Sequence, residues 1–207
     1  TPAEDIPEAD GSVDIVASVF GIEYSDLDRS LPEVARTLKK GGQFRALLHH
    51  DGSVVTRMSK RALSEFDNAD LALVVESLSA ISSERDRLTD LAELKNSSRA
   101  ERARLRINTL AQKYLNDTNP QTGNATMFEV MKSALAFFKM MGASSDQRQA
   151  FIDSLEAEQR ASHERFGQMV SVALDDEGVE AFRKQLTDAG FRKVKIDVLR
   201  NGEEILA

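Results

Sequence analysis

Apolar positions change their period twice along this chain. From Val13 to Phe20 (VDIVASVF) they form a nearly continuous, valine-rich run after an Asp10-Gly11 turn signal. A run of that kind predicts a strand buried on both faces, as in a parallel sheet. Over 26–40 (DLDRSLPEVARTLKK), Leu31, Val34, Ala35 and Leu38 recur at helical spacing. The signals there predict a helix capped by Asp28 or Ser30, with Pro32 in its first turn and Lys39-Lys40-Gly41-Gly42 at its end. Phe44 to His49 (FRALLH) then reads as a second strand. Strand, helix, strand is a right-handed crossover unit.

Beyond residue 58 the strand-like runs stop and helical periodicity takes over. Helices are predicted at 59–67, 69–83, 84–117, 124–142 and 145–174, with a loop over 116–124 around Pro120. Asn124 is placed to cap the fourth of these helices, and Ser144-Ser145-Asp146 to cap the fifth. Met127, Phe128, Met131, Ala134, Leu135, Phe138 and Met141 form an apolar stripe. Such a stripe reads first as core, although its Met and Phe content also suits an adaptable cover over an apolar substrate. Arg99, Arg102 and Arg106 share one helix face and read as a solvated face in preference to an anion site.

From residue 176 the pattern is mixed again. Residues 178–190 (GVEAFRKQLTDAG) predict an amphipathic helix, and 191–199 (FRKVKIDVL) alternates as a half-exposed strand. Asn201-Gly202 is a two-residue hairpin turn signal, with Glu203 to Ala207 as the return strand. The chain is therefore expected in three segments: 1–58, a helical block at 59–175, and 176–207. A helical insertion into one α/β fold is the simplest account of them.

Composition narrows the classes. A chain of 207 residues buries about 70% of its unfolded surface and needs no disulfide or metal staple. There is no cysteine, which excludes disulfide frameworks and thiolate chemistry and agrees with a reducing, cytoplasmic setting. The net charge of −7 argues against nucleic acid as a partner. No apolar stretch approaches the roughly 20 residues that span a bilayer, so no membrane partner is expected. His49 and His50 have no third histidine or cysteine nearby, so no metal site is expected.

The mixed segments carry motifs in a recognisable order. Ala3-Glu4-Asp5-Ile6-Pro7 is followed by Asp10-Gly11-Ser12-Val13-Asp14-Ile15-Val16, then by Val34-Ala35-Arg36-Thr37-Leu38-Lys39-Lys40-Gly41-Gly42. Near the C-terminus stands Asp188-Ala189-Gly190-Phe191 with its hairpin. In this order they resemble the second half of a class I S-adenosylmethionine-dependent methyltransferase. Lys40 stands where that family usually has proline, and Val13 where it usually has an aromatic residue. The family's glycine-rich loop has no counterpart, because no two glycines here are separated by a single residue. The resemblance thus implies an incomplete Rossmann-like sheet, strands four to seven, with a large all-helical insertion and a helix-rich chain overall. It also implies that the natural protein carries further residues before Thr1, and that the given chain alone is inactive.

The same resemblance implies S-adenosyl-L-methionine as cofactor. Ala3 and Glu4 match positions beside the adenine, and Ser18, Val19 and Phe20 match the cofactor end of the fourth strand. Glu23 and Tyr24 follow directly. A carboxylate there orients an acceptor or takes its proton, with capping of the next helix as the competing role. His49 and His50 end the fifth strand, where one of an adjacent pair can enter a pocket as base or substrate ligand. His163, alone on a long helix, reads as a surface or packing residue. The implied activity is methyl transfer to an unidentified acceptor, a small molecule in view of the acidic charge, with the helical insertion covering the substrate site. The rival reading is a non-catalytic helical interaction module on a degenerate methyltransferase remnant, with the long helices at 84–117 and 145–174 pairing within the chain or forming a homodimer through their apolar stripes.

Overall fold

The computed structural model describes residues 2–88, 90–119 and 122–207. The expected chain start at Thr1 and the Pro120 of the expected loop lie outside the described residues. The chain is a helix-rich α/β protein with a small parallel sheet. It divides into two compact units, one of residues 1–60 with 166–207 and one of 61–165.

In the α/β unit, β1 (Val13–Val19) pairs in parallel with β2 (Leu38–Leu47) through the crossover helix α1 (Leu27–Thr37). The helix starts earlier than the sequence signals suggest. Asp26 is its cap, accepting from the Asp28 N–H at 3.2 Å, so neither Asp28 nor Ser30 fills that place. Pro32 consequently falls in the second turn, where it has no N–H to donate to the carbonyl four residues back. The helix also ends earlier than the glycine pair. Leu38 turns directly into extended backbone, and β2 runs from there and not from Phe44. The Lys39–Gly42 stretch is instead accommodated as an irregularity in the register, with Val13 opposite Leu38 but Ile15 opposite Gln43. Gly41 takes φ 86°, which a side chain would resist.

Leu31 and Val34 of α1 pack with Ile22 and with Phe182 and Leu186 of α8 (Asp176–Asp188) to form this unit's core. Ile6, Val16, Phe44 and Phe191 flank it. Arg36 ties the entry segment down by donating to the carbonyls of Ile6 and Glu8 and pairing with Asp10 and Glu33. The expectation that β1 is buried on both faces does not hold. Ile15 and Val19 are 55% and 69% exposed, because the described residues cover only one face of the sheet.

The C-terminal segment also departs from its pattern. Residues 191–199 do not form a strand, since no neighbouring strand among the described residues offers them a ladder and Lys193 at φ 57° breaks the extended run. Their apolar members Phe191, Val194 and Ile196 pack on the core nonetheless. A short hairpin follows, β3 (Arg200–Asn201) and β4 (Glu204–Ile205), whose turn is Gly202-Glu203, one residue later than the Asn201-Gly202 signal.

The helical unit is built on α3 (Asn68–Arg87), α4 (Leu91–Asn96), α5 (Ser98–Leu115) and α6 (Ala125–Ala136). The unit boundaries fall inside α2 (Val54–Glu65) and α7 (Ser145–Val172). The single helix expected over 84–117 is three pieces. The N-cap side chains of Asp90 and Ser97 accept from Ala92 and Ala100 N–H groups and restart the helix each time. Asn124 caps α6 as expected, accepting from Met127 at 2.8 Å. Ser144 and Gln147 form a reciprocal capping box at the start of α7.

Met127, Val130, Met131, Ala134 and Phe137 are wholly buried among Val74, Leu78, Ile107 and Ile152. Met127, Met131 and Ala134 of the stripe are core, while Phe128, Leu135, Phe138 and Met141 are only partly buried. Phe137, outside the expected stripe, is wholly buried where the helix tightens to a 3-10 turn at Phe137–Met140. His163 packs its ring against Phe66, 4.7 Å between centroids. Among the described residues no helix is long and apolar enough to cross a membrane.

Candidate functional site

Parallel pairing puts the carboxyl ends of β1 and β2 on one rim. Val19 lies opposite Leu47, and the Phe20 N–H donates to the Leu47 carbonyl at 2.8 Å. Phe20 then takes φ 51°, a left-handed turn uncommon for an aromatic residue, and the chain leaves the sheet sharply. The Ser18 hydroxyl fixes this exit by accepting from the Ile22 N–H at 2.9 Å. A 3-10 turn at Ile22–Tyr24 follows, so Phe20, Glu23 and Tyr24 stand together at the end of the strand.

Glu23 is 7% exposed. Its Oε1 accepts from the His49 N–H at 3.2 Å, while Oε2 is buried without a hydrogen-bond partner among the described residues. Glu23 therefore joins the ends of the two strands and does not cap α1, the competing role, which belongs to Asp26. The His49 ring stacks on Phe20 at 4.4 Å and meets the edge of Tyr24 at 6.1 Å. Burial, and then the neighbouring Glu23 charge, push the Tyr24 hydroxyl above its ordinary pKa. A buried carboxylate and a histidine clasped by two aromatic rings can orient a donor group or accept a proton from it.

The two histidines diverge. His49 enters this cluster, and its carbonyl accepts from Leu174 at 2.8 Å. His50 accepts from the Gly52 N–H at its Nδ1, 3.0 Å away, which assigns the proton of the neutral ring to Nε2. That Nε2 is buried without a hydrogen-bond partner among the described residues and lies 3.9 Å from Asp176 Oδ1, too long for a hydrogen bond. Nothing in the sequence pattern pairs His50 with the start of α8. The link is made by the short bridge between His50 and Leu174, a tertiary contact.

The two residues matched to the adenine make other contacts. Ala3 packs against the α/β core, and Glu4 Oε1 accepts from the Asp26 N–H at 2.7 Å, so that bond holds its carboxyl below the usual range. Ser18, Phe20, Glu23, Tyr24 and His49 thus form one connected group, while Ala3, Glu4 and His50 make no hydrogen bond to it. Val19 belongs to the same rim by register, with its side chain open to solvent. Among the described residues no group of three or more His, Cys, Asp or Glu side chains is placed to hold a metal ion.

Residues 1–46 match the model of a family described as a methyltransferase domain. No curated protein and no solved structure matches the chain.

Proposed function

We infer that residues 1–46, which match the model of a methyltransferase domain, belong to a class I methyltransferase of the S-adenosylmethionine-dependent kind. From that premise we propose that the protein transfers the methyl group of S-adenosylmethionine to a small-molecule acceptor, with the helical segment 59–175 serving to select it. The family match over the β1–α1–β2 crossover is the observation that carries the reading. In an open α/β sheet, ligands bind beyond the carboxyl ends of the strands. The described chain offers one wall of such a site, since Val19 and Phe20 present apolar surface there and Glu23 keeps an unpartnered carboxylate oxygen behind them.

The cofactor, when bound, supplies the electrophilic methyl group. The residues of this chain hold and orient. Phe20 and Val19 would shield the cofactor's donor end from water, and Ser18 keeps the exit turn of β1 in place. Glu23 holds the two strand ends in register through the His49 N–H, so the acceptor meets a fixed geometry, which is where most of the rate of a direct transfer arises. The net charge of −7 supports a small molecule over nucleic acid as acceptor.

The test is calorimetric titration of S-adenosylmethionine into the full-length protein, with Phe20→Ala as the comparison. Saturable binding that weakens at least tenfold in the variant is expected. No binding to the full-length protein overturns the enzyme reading and leaves a helical interaction module on a methyltransferase remnant.

A further inference from the structure

The three arginines of the α5 stripe do not simply face water. They line a groove of about 360 Å³ in the helical unit, whose opposite wall is formed by Glu76, Ser79 and Ser83 of α3. Both walls follow the same i, i+3, i+7 spacing, one carrying guanidinium groups and the other carrying two hydroxyls and a carboxylate. Ala80 and Ala103 form the floor, small enough for the helices to approach while the long side chains stand above them.

The two helices run antiparallel, and the charges are distributed unevenly along them. At one end Arg106 meets Glu76 at 3.0 Å, with both side chains more than half exposed, so that pair is weak and easily exchanged. At the other end Arg99 stands 3.8 Å from Glu84, a carboxylate already bound by Arg87 at 2.9 Å and by Ser97 at 2.7 Å. Between them Arg102 pairs with no carboxylate among the described residues, and the wall it faces there carries serines and no acid. The lining therefore holds three arginines against one glutamate. In an acidic protein this is a local excess of donors over carboxylates.

We propose that this groove binds a dianionic oxyanion, the phosphate group of a small phosphate ester. The Arg102 fork matches two of its oxygens, Arg99 and Arg106 can turn inward from their weak pairs, and the Ser79 hydroxyl donates from the far wall. The site stands independently of the methyl-transfer reading, because every residue in it belongs to the helical unit.

The experiment is titration of inorganic phosphate into the full-length protein at constant ionic strength, chloride replacing phosphate in the control. Arginine side-chain NMR resonances and thermal midpoint are the readouts. Saturable shifts in the arginine signals and a midpoint raised by phosphate are expected. Arg102→Gln, an exposed change that leaves the core intact, should weaken binding at least tenfold and abolish the midpoint shift. Ser79→Ala should weaken binding two- to threefold. Shifts that never saturate, or an Arg102→Gln protein that binds as well as the parent, overturn the proposal and return the stripe to a solvated face. Loss of phosphate binding would leave S-adenosylmethionine binding untouched, so the two readings fail separately.

Discussion

The helical unit and the α/β unit bury their apolar residues in different ways. In the helical unit Val74, Leu78, Ile107, Met127, Val130, Met131 and Phe137 are shut away completely, each helix closing its stripe on the next. In the α/β unit Ile22, Leu31, Val34, Phe182 and Leu186 fill one side of the sheet, while Ile15 and Val19 lie open on β1. A helix presents one stripe and can be satisfied by one neighbour layer. A strand presents two faces and an edge, so a sheet of two strands has apolar surface left over.

The sharpest way to break this comparison is to remove the central ring of the helical core. Phe137→Ala should destabilise the protein by about 3–5 kcal/mol, the usual cost of opening a cavity of that size. Leu31→Ala in the α/β core should cost about 2–5 kcal/mol by the same reasoning. Urea denaturation followed by circular dichroism gives both values. A loss below about 1 kcal/mol for Phe137→Ala would mean that the helical core is loosely packed and that the two units do not differ as described.

The contrast also explains which parts were legible in the sequence. The crossover unit, the cap at Asn124 and the core stripe around Met127 and Met131 follow from local signals, because period and capping are properties of neighbouring residues. The split of 84–117 was concealed because Asp90 and Ser97 sit inside an otherwise unbroken helical pattern. For 191–199 the period-two pattern was real, yet a strand needs a partner, and alternation does not reveal whether one is present. Of the candidate site, the order of Phe20, Glu23 and Tyr24 after β1 was visible. The clasp of Glu23 on the His49 backbone was not, since it spans 26 residues and depends on the register of β1 against β2.

Each unit has one carboxylate held down to a pKa of about 2, and acid should tell the units apart. Glu84 is held by hydrogen bonds from Arg87 and then Ser97, Glu33 by Arg36 and then the Ile6 N–H. Both values are depressed from 4.5, so between those limits the unfolded chain binds more protons than the folded one. Their stabilisation is complete above the unfolded value and is lost as pH falls through the folded one. Stability should therefore decline from about pH 4.5 toward pH 2, and Glu84→Gln or Glu33→Gln should each flatten that decline. Glu84→Gln should also weaken the protein at neutral pH more than Glu33→Gln does, because Glu84 is almost fully buried and also accepts from Ser97. Denaturation midpoints measured across pH 2–5 check this, and an unchanged slope in both variants would refute it.

The smallest effect belongs to the open face of β1. Val19→Thr keeps the side-chain shape and β-branching while exchanging a methyl for a hydroxyl. At 69% exposure that hydroxyl meets water, so the stability change should stay within about 0.5 kcal/mol. The buried counterpart is Val34→Thr, where the hydroxyl replaces a methyl packed in the α/β core, with only the carbonyl of the preceding helical turn in reach, and should cost about 1–3 kcal/mol. Measuring both at several protein concentrations separates two meanings of exposure. If Val19→Thr remains neutral at every concentration, the face of β1 is free in solution. If its cost rises with concentration toward that of Val34→Thr, a second copy covers the face, and the contrast between the two units holds for the single chain alone.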